Sequence, residues 1–146
     1  MRTILRQAYV GVAWLYLAAI VVQFFLAGLG VFVSPEDFRF HAIFGGIILL
    51  IGLLALILSF LAQLPWKTTG LTVLLPVLVL VQSTLVEMGR NGIHLVAAFH
   101  TVNALIIFSV AAYVALNARA LAGLSTTNRE PVNDAGALTR EPHRVA

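Results

Sequence analysis

Cysteine is absent from this sequence and charge is scarce: Asp, Glu, Lys and Arg together make up 10% of its 146 residues. Without thiols there can be no disulfide, no thiolate-held iron–sulfur cluster, no thiolate-ligated haem and no covalent c-type haem. The shortage of charge excludes an ordinary soluble domain, in which roughly 25% of residues are charged and about 45–50% apolar. Here 60% are hydrophobic and the mean hydropathy is +0.98. A soluble domain of this length still exposes roughly 30% of its unfolded surface, so lipid must be the solvent for much of the chain. Also missing are a phosphate-cradling G-x-x-x-x-G-K-[ST] loop, an H-E-x-x-H zinc signature and any intramembrane Asp/Glu pair. The net charge is +3, but no basic cluster with interleaved aromatics is present, so nucleic acid is excluded as a partner.

What the sequence has instead is four long apolar runs, at about 8–32, 38–64, 69–88 and 93–118, each near the roughly 20 residues that cross a bilayer. The first run is too long for the core of a signal peptide and lacks a cleavage site, so it reads as a retained span. Short, punctuated connections separate the runs. Ser34-Pro35-Glu36-Asp37 reads as an N-cap, a proline at the first helical position and two acids at the positive end of a helix. Pro65-Trp66-Lys67 closes the second run, and Gly89-Arg90-Asn91-Gly92 is a tight turn with Asn91 as cap of the fourth. Such loops make successive helices antiparallel neighbours. The expected fold is therefore all-α, an integral membrane four-helix bundle running up-down-up-down over residues 1–120. No internal repeat is apparent.

Arg2, Arg6, Lys67, Arg119 and Arg129 fall on one side of the expected bundle, while Arg39 and Arg90 stand on the other beside Glu36, Asp37 and Glu87. That asymmetry predicts cytoplasmic N and C termini in a multi-pass protein of the inner (plasma) membrane, with Tyr9, Trp66 and Tyr113 near the inner interface. The segment 121–146 is rich in Ser, Thr, Asn, Pro and charge and is expected to be a disordered cytoplasmic tail.

Polar groups inside spans are costly and are therefore functional candidates. At 1.5 Å per residue, His41 lies about 9 Å and His100 about 12 Å inside the outer ends of their helices, with Gln82 at about 10 Å and Gln23 at about 13 Å. All four helices thus contribute to one polar layer in the outer leaflet, and Asn103 lies one turn below His100. On the second helix His41, Gly45, Ile48, Gly52, Ala55, Ser59 and Ala62 form one stripe, mostly of small residues. Small stripes commonly serve close packing in lipid; here Gly45, beside Gly46, can also clear room for a flat cofactor next to His41.

Helices two and four are diagonal in such a bundle. Imidazoles at matching depth on them, His41 and His100, suit the two axial positions of one haem b iron. Gln23, Gln82, Ser83, Thr101 and Asn103 are available to fix the imidazole tautomers. His94, six residues before His100, points about 120° away on a helix of 3.6 residues per turn and belongs at the outer rim; His143 lies in the tail. The expectation is a small bis-histidine membrane cytochrome exchanging electrons with quinone or an extracytoplasmic partner. The alternative is a non-enzymatic accessory or scaffold subunit of a larger membrane complex, in which the polar layer only locks the helices. A permeation unit built as a homo-oligomer is a third reading.

Gln23-Phe24-Phe25-Leu26-Ala27-Gly28-Leu29-Gly30, His41 with Gly45, and Phe99-His100-Thr101-Val102-Asn103-Ala104 together resemble an uncharacterised family of small four-helix bacterial and archaeal membrane proteins. The likeness covers about residues 7–118. More distantly, the chain is similar to four-helix membrane cytochromes b, in which helix-borne histidines hold haem. It departs from their two-haem types by lacking a second histidine pair in the inner leaflet.

Overall fold

In hydrocarbon every backbone N–H and C=O must be paired within the chain, and a helix does this locally. The apolar runs therefore emerge as helices in the computed structural model, which describes residues 1–124. These form α1 (Arg2–Phe32), a 3-10 turn (Pro35–Asp37), α2 (Phe38–Leu61), α3 (Trp66–Arg90), the one-turn α4 (His94–Ala97), α5 (Phe99–Leu116) and the one-turn α6 (Ala118–Leu121). There is no strand among the described residues. Most of the tail, with His143, lies outside them.

Four of the helical stretches are long and apolar enough to cross a membrane, the fourth running through α4 and α5. Within the most apolar part of each, only 17–22% of residues are buried. Large apolar side chains such as Phe25 (65% exposed) and Leu105 (63%) face outward. Water would not tolerate that surface; lipid does. The protein is an integral membrane four-helix bundle in which α1 packs on α2 and α5, α3 also packs on both, and α2 and α5 are diagonal.

The turns largely follow their local chemistry. Ser34 is extended, and its hydroxyl accepts from the Glu36 amide at 3.3 Å ahead of Pro35. After α2 the chain reverses at Gln63, whose φ of +50° is the left-handed conformation of a helix stop. One expectation needs correction. Asn91 does not cap the fourth span: its side-chain amide donates to the Glu87 carbonyl at 2.9 Å and closes α3 instead. The fourth span runs without a break from His94 to Leu116, Ala98 between α4 and α5 having helical backbone.

The half of the core at the N-terminal end of α1 is built around two tyrosines. Thr72 donates its proton to the Thr68 carbonyl at 2.8 Å, so the Tyr9 hydroxyl must donate to Thr72 Oγ1, at 2.7 Å. Tyr9 is fully buried and faces the core, whereas Trp66 and Tyr113 are exposed. Tyr16 fills the centre beside Gly52, where a Cβ would lie 3.1 Å from its ring.

The expectation of a chain without internal repeat is overturned by the burial pattern. Four of the six buried residues of α1, Tyr9, Ala13, Tyr16 and Ile20, recur 59 positions later in α3 as Thr68, Thr72, Leu75 and Val79 (68 − 9 and 79 − 20 alike). Those of α2, Ile48, Gly52, Ala55 and Ser59, recur at the same shift as Ile107, Ala111, Val114 and Ala118. The correspondence runs through the connecting turns. A Cβ on Gly30 would collide with Phe38 at 2.6 Å, and a Cβ on Gly89 with Ala97, also at 2.6 Å. Both members of that pair shift by 59. The hairpins α1–α2 and α3–α5 are thus two versions of one structure, related by a pseudo-two-fold axis along the bundle. Residue identities hide it because lipid-facing and core positions accept any apolar residue of suitable size.

Candidate functional site

The axis passes through the polar layer. Gln23 on α1 donates from Nε2 to the His41 carbonyl on α2 at 2.9 Å, across 18 residues of sequence. Gln82 on α3 donates to the His100 carbonyl on α5, also at 2.9 Å and also across 18 residues. Each glutamine therefore ties the two helices of its own hairpin together at the histidine. A helical carbonyl has a second lone pair for this purpose. Gly45 lies against the first tie, where a Cβ would stand 3.3 Å from Nε2; the second tie forms at the same distance beside Ala104, the counterpart of Gly45. The space that sequence reasoning assigned to a cofactor is thus partly occupied by Gln23.

Between the ties the two imidazoles face each other from diagonal helices, their ring centroids 6.2 Å apart and their planes inclined by 55°. Both are half-buried. His41 Nδ1 lies 3.1 Å from the Gln23 carbonyl oxygen. That oxygen can only accept, so Nδ1 carries the proton and Nε2 keeps the lone pair. His100 Nδ1 is buried and makes no bond as well formed as that of His41, although the Gln82 backbone lies beside its ring.

The glutamines differ for a reason that the repeat makes plain. Gln82 Oε1 accepts from Asn103 Nδ2, which also donates to the Leu78 carbonyl at 2.9 Å. Asn103 therefore positions Gln82 and does not line the cavity, contrary to its expected place beside a cofactor. Its counterpart in the first hairpin is Phe44 (103 − 44 = 59), which cannot donate. Gln23 Oε1 is left buried without a partner. Buried polar atoms in native structures are nearly always paired, and an orphan points to a water or ligand.

A cavity of about 260 Å³ adjoins these groups, lined by Gln23, His41, Gln82 and His100 above an apolar floor of Ile20, Ile48, Val79 and Ile107. It extends to one side only, between Ala42, Gly45, Gly46 and Leu49 of α2 and Ser83, Val86 and Arg90 of α3. The Ser83 hydroxyl is bonded back to the Val79 carbonyl at 3.1 Å, so it offers no activated nucleophile. Arg90 stands at the outer end, its guanidinium 3.4 Å from Glu87 in an exposed pair. His94 is exposed at the rim and does not line the cavity. Thr101 is also exposed and outside it. Among the described residues no group of three or more His, Asp or Glu is placed to hold a bare metal ion.

Sequence reasoning found the two His and two Gln. It missed Arg90 as a cavity residue and the asymmetry of the pocket. Comparing positions 59 apart would have drawn attention to Gln23/Gln82 and Phe40-His41/Phe99-His100.

Fold and site together define a small polytopic membrane protein with paired, facing intramembrane imidazoles. Residues 23–89 match the model of a family described as a family of unknown function (DUF6220). The match begins at Gln23, includes His41 and Gln82, and ends before His100. No curated protein and no solved structure matches the chain.

Proposed function

We propose that the protein is a small membrane cytochrome that holds one haem b between His41 and His100. The observation that carries this reading is the 6.2 Å separation of the two imidazole centroids. Metal–imidazole bonds of about 2.0–2.1 Å, with each ring centre roughly 1 Å farther out, bring two coaxial ligands to about that spacing. The proton on His41 Nδ1 leaves Nε2 free to ligate, with the Gln23 carbonyl as the anchor that usually orients a metal-bound histidine. The donor set fits. The cavity of about 260 Å³ is smaller than a porphyrin, and a ring centred between the two imidazoles would extend as far toward α1 and α5 as toward α2 and α3, so holding haem would require the helices to part. When bound, haem supplies reversible one-electron transfer; quinone dissolved in the bilayer, or an extracytoplasmic protein, is the proposed partner. The apolar floor would keep water from the iron, and the glutamine ties would keep the ligand helices from drifting.

Expression with ample haem, purification and an absorption spectrum test this. A Soret band that shifts on reduction is expected, and it should be lost or altered in both His41→Ala and His100→Ala. A colourless protein from haem-replete cells, or a band indifferent to both substitutions, would overturn it.

The glutamine ties favour one other reading, an accessory or scaffold subunit whose polar layer only holds hairpins together. It requires His41→Gln and His100→Gln to be tolerated with modest loss of stability, and the protein to co-purify with a larger complex.

A further inference from the structure

The two clefts between the hairpins are equivalent by the pseudo-two-fold axis, yet the cavity opens through one of them alone. Between α1 and α5, Phe24 and Phe108 meet edge to face with ring centroids 6.0 Å apart and close the gap. Their counterparts between α2 and α3 are Ser83 and Leu49 (83 − 24 and 108 − 49 are both 59), which leave it open. Ala42, Gly46 and Ser83 border this opening and are exposed on the lipid-facing side of their helices. The cavity is therefore reached sideways from the bilayer. Its volume of about 260 Å³ lies below the roughly 300–1,000 Å³ that encloses a drug-sized ligand. It suits one small head group whose remainder stays in the lipid.

The polar groups at the cavity are short of donors. Gln23 Oε1 is buried and has no partner. His41 Nδ1 carries the proton that goes to the Gln23 carbonyl, so its Nε2 presents a lone pair. The side-chain amides of Gln23 and Gln82 already donate to the histidine carbonyls. A ligand that only accepts, such as a ketone or an ester, leaves these acceptors unpaired, whereas a hydroxyl pairs one of them. A fatty alcohol brings the hydroxyl but too little bulk to fill the space above Ile20, Ile48, Val79 and Ile107. A diacylglycerol adds two ester carbonyls, which are further acceptors. A hydroxylated aromatic ring supplies both the donor and the apolar bulk.

We infer that the cavity binds the ring of a lipid-soluble phenol or hydroquinone, which enters between α2 and α3 and donates a ring hydroxyl to Gln23 Oε1. The ring rests on the four branched side chains of the floor, and any tail leaves through the opening into the bilayer. The site selects the hydroxyl-bearing form over the corresponding quinone, because only the former can donate. This inference does not rest on the haem reading: the helices stay where they stand, and the claim concerns binding alone.

The test uses the full chain, isotope-labelled at the histidine nitrogens, in phosphatidylcholine nanodiscs. It is titrated under argon with tetramethylhydroquinone, with the corresponding quinone and with the dimethyl ether of the hydroquinone. His41 and His100 line the cavity while His94 is exposed outside it, so imidazole nitrogen shifts in the magnetic resonance spectrum locate the binding. The hydroquinone should shift both cavity histidines saturably and leave His94 in place. It should bind at least about five-fold more tightly than the quinone or the ether, each of which leaves a buried acceptor unpaired. Gln23→Leu should lower hydroquinone affinity to about that of the ether and leave the ether's own affinity unchanged. Gly46→Leu, at a position where a Cβ meets nothing within 4 Å, should fill the opening and abolish binding of all three compounds; if it misfolds, Ala42→Leu at the same opening gives the same reading. No saturable shift with the hydroquinone, equal affinity for the three compounds, or a preference that survives Gln23→Leu would overturn the inference. Shifts that persist in a folded Gly46→Leu or Ala42→Leu protein would place the site elsewhere. None of these results depends on a Soret band, so this inference and the haem reading can fail separately.

Discussion

Asn103→Leu isolates what the polar layer contributes to stability. Asn103 is 7% exposed and makes two side-chain bonds to α3, one to the Leu78 carbonyl and one to Gln82 Oε1. The two acceptors fare differently when it is removed. The Leu78 carbonyl keeps its own helical partner, but Gln82 Oε1 loses its only one. Interhelical hydrogen bonds in membranes average about 0.6 kcal/mol and reach about 1.7, while an orphaned buried acceptor costs about 1–3 kcal/mol. Since the lost bond also orphans Gln82, the expected loss is about 1–3 kcal/mol, or roughly five- to 150-fold in the folded-to-unfolded ratio. Reversible unfolding in mixed micelles, followed by circular dichroism, measures it. Gln82→Leu alone removes the orphan but also the tie to His100. The double variant should therefore lose less than the sum of the singles, with a coupling of at least about 0.5 kcal/mol for groups in contact. Strict additivity, or an Asn103→Leu protein as stable as wild type, would refute the account of Gln82 as a paired group.

The repeat supplies a companion experiment: Gln23→Leu should cost less than Gln82→Leu, because it breaks one tie and removes an acceptor that is already orphaned, and the same unfolding assay reads the difference. Gly89→Ala puts a Cβ 2.6 Å from that of Ala97; it should destabilise by about 1–3 kcal/mol as an overpacked contact, and Ala97→Gly in the same chain should recover most of the loss. Gly30→Ala meets the Phe38 ring instead, which is half-exposed and can turn, so its melting shift should be smaller. Tyr9→Phe should cost about 0.5–1.5 kcal/mol for its bond to Thr72, whereas Tyr16→Phe, whose hydroxyl sits 3.4 Å from the Leu75 carbonyl, should lie within the error of the melt.

The fold was legible because lipid imposes the strongest of constraints on sequence: four runs of sufficient length with short loops leave one simple arrangement. The depth of the polar layer was legible for the same reason, since rise per residue converts position into height. Side-chain pairing was not. Nothing in the spacing showed that Gln23 and Gln82 would bond to histidine carbonyls in place of histidine rings, or that Asn103 would turn toward α3. These choices depend on which lone pairs the neighbouring helix exposes. That Tyr9 would face the core was not legible either, because the threonine that gives it a buried partner lies 63 residues away.

The repeat also explains why the two hairpins form a defined pair within one chain. In an association of two identical α1–α2 hairpins, the position facing Tyr9 that Thr72 now fills would be Ala13, its counterpart by the shift of 59. The tyrosine hydroxyl would then be buried against a methyl group, and a second tyrosine would compete for the same space from the place of Thr68. In the present chain the second copy carries Thr68 and Thr72 instead, which are small enough to admit Tyr9 and polar enough to receive its proton. The divergence makes the hairpins complementary and disfavours self-pairing of either one. Replacing Thr68 by Tyr and Thr72 by Ala, which restores the first copy's residues, should therefore loosen the half of the bundle around Tyr9 while leaving the Gln23–His41 and Gln82–His100 ties intact. Amide hydrogen exchange should show faster exchange near Tyr9 and Thr72 and unchanged protection around His41. Uniform loss of protection along all four helices would mean that the inner core and the polar layer fold as one unit, and that the two levels of the bundle cannot have diverged independently.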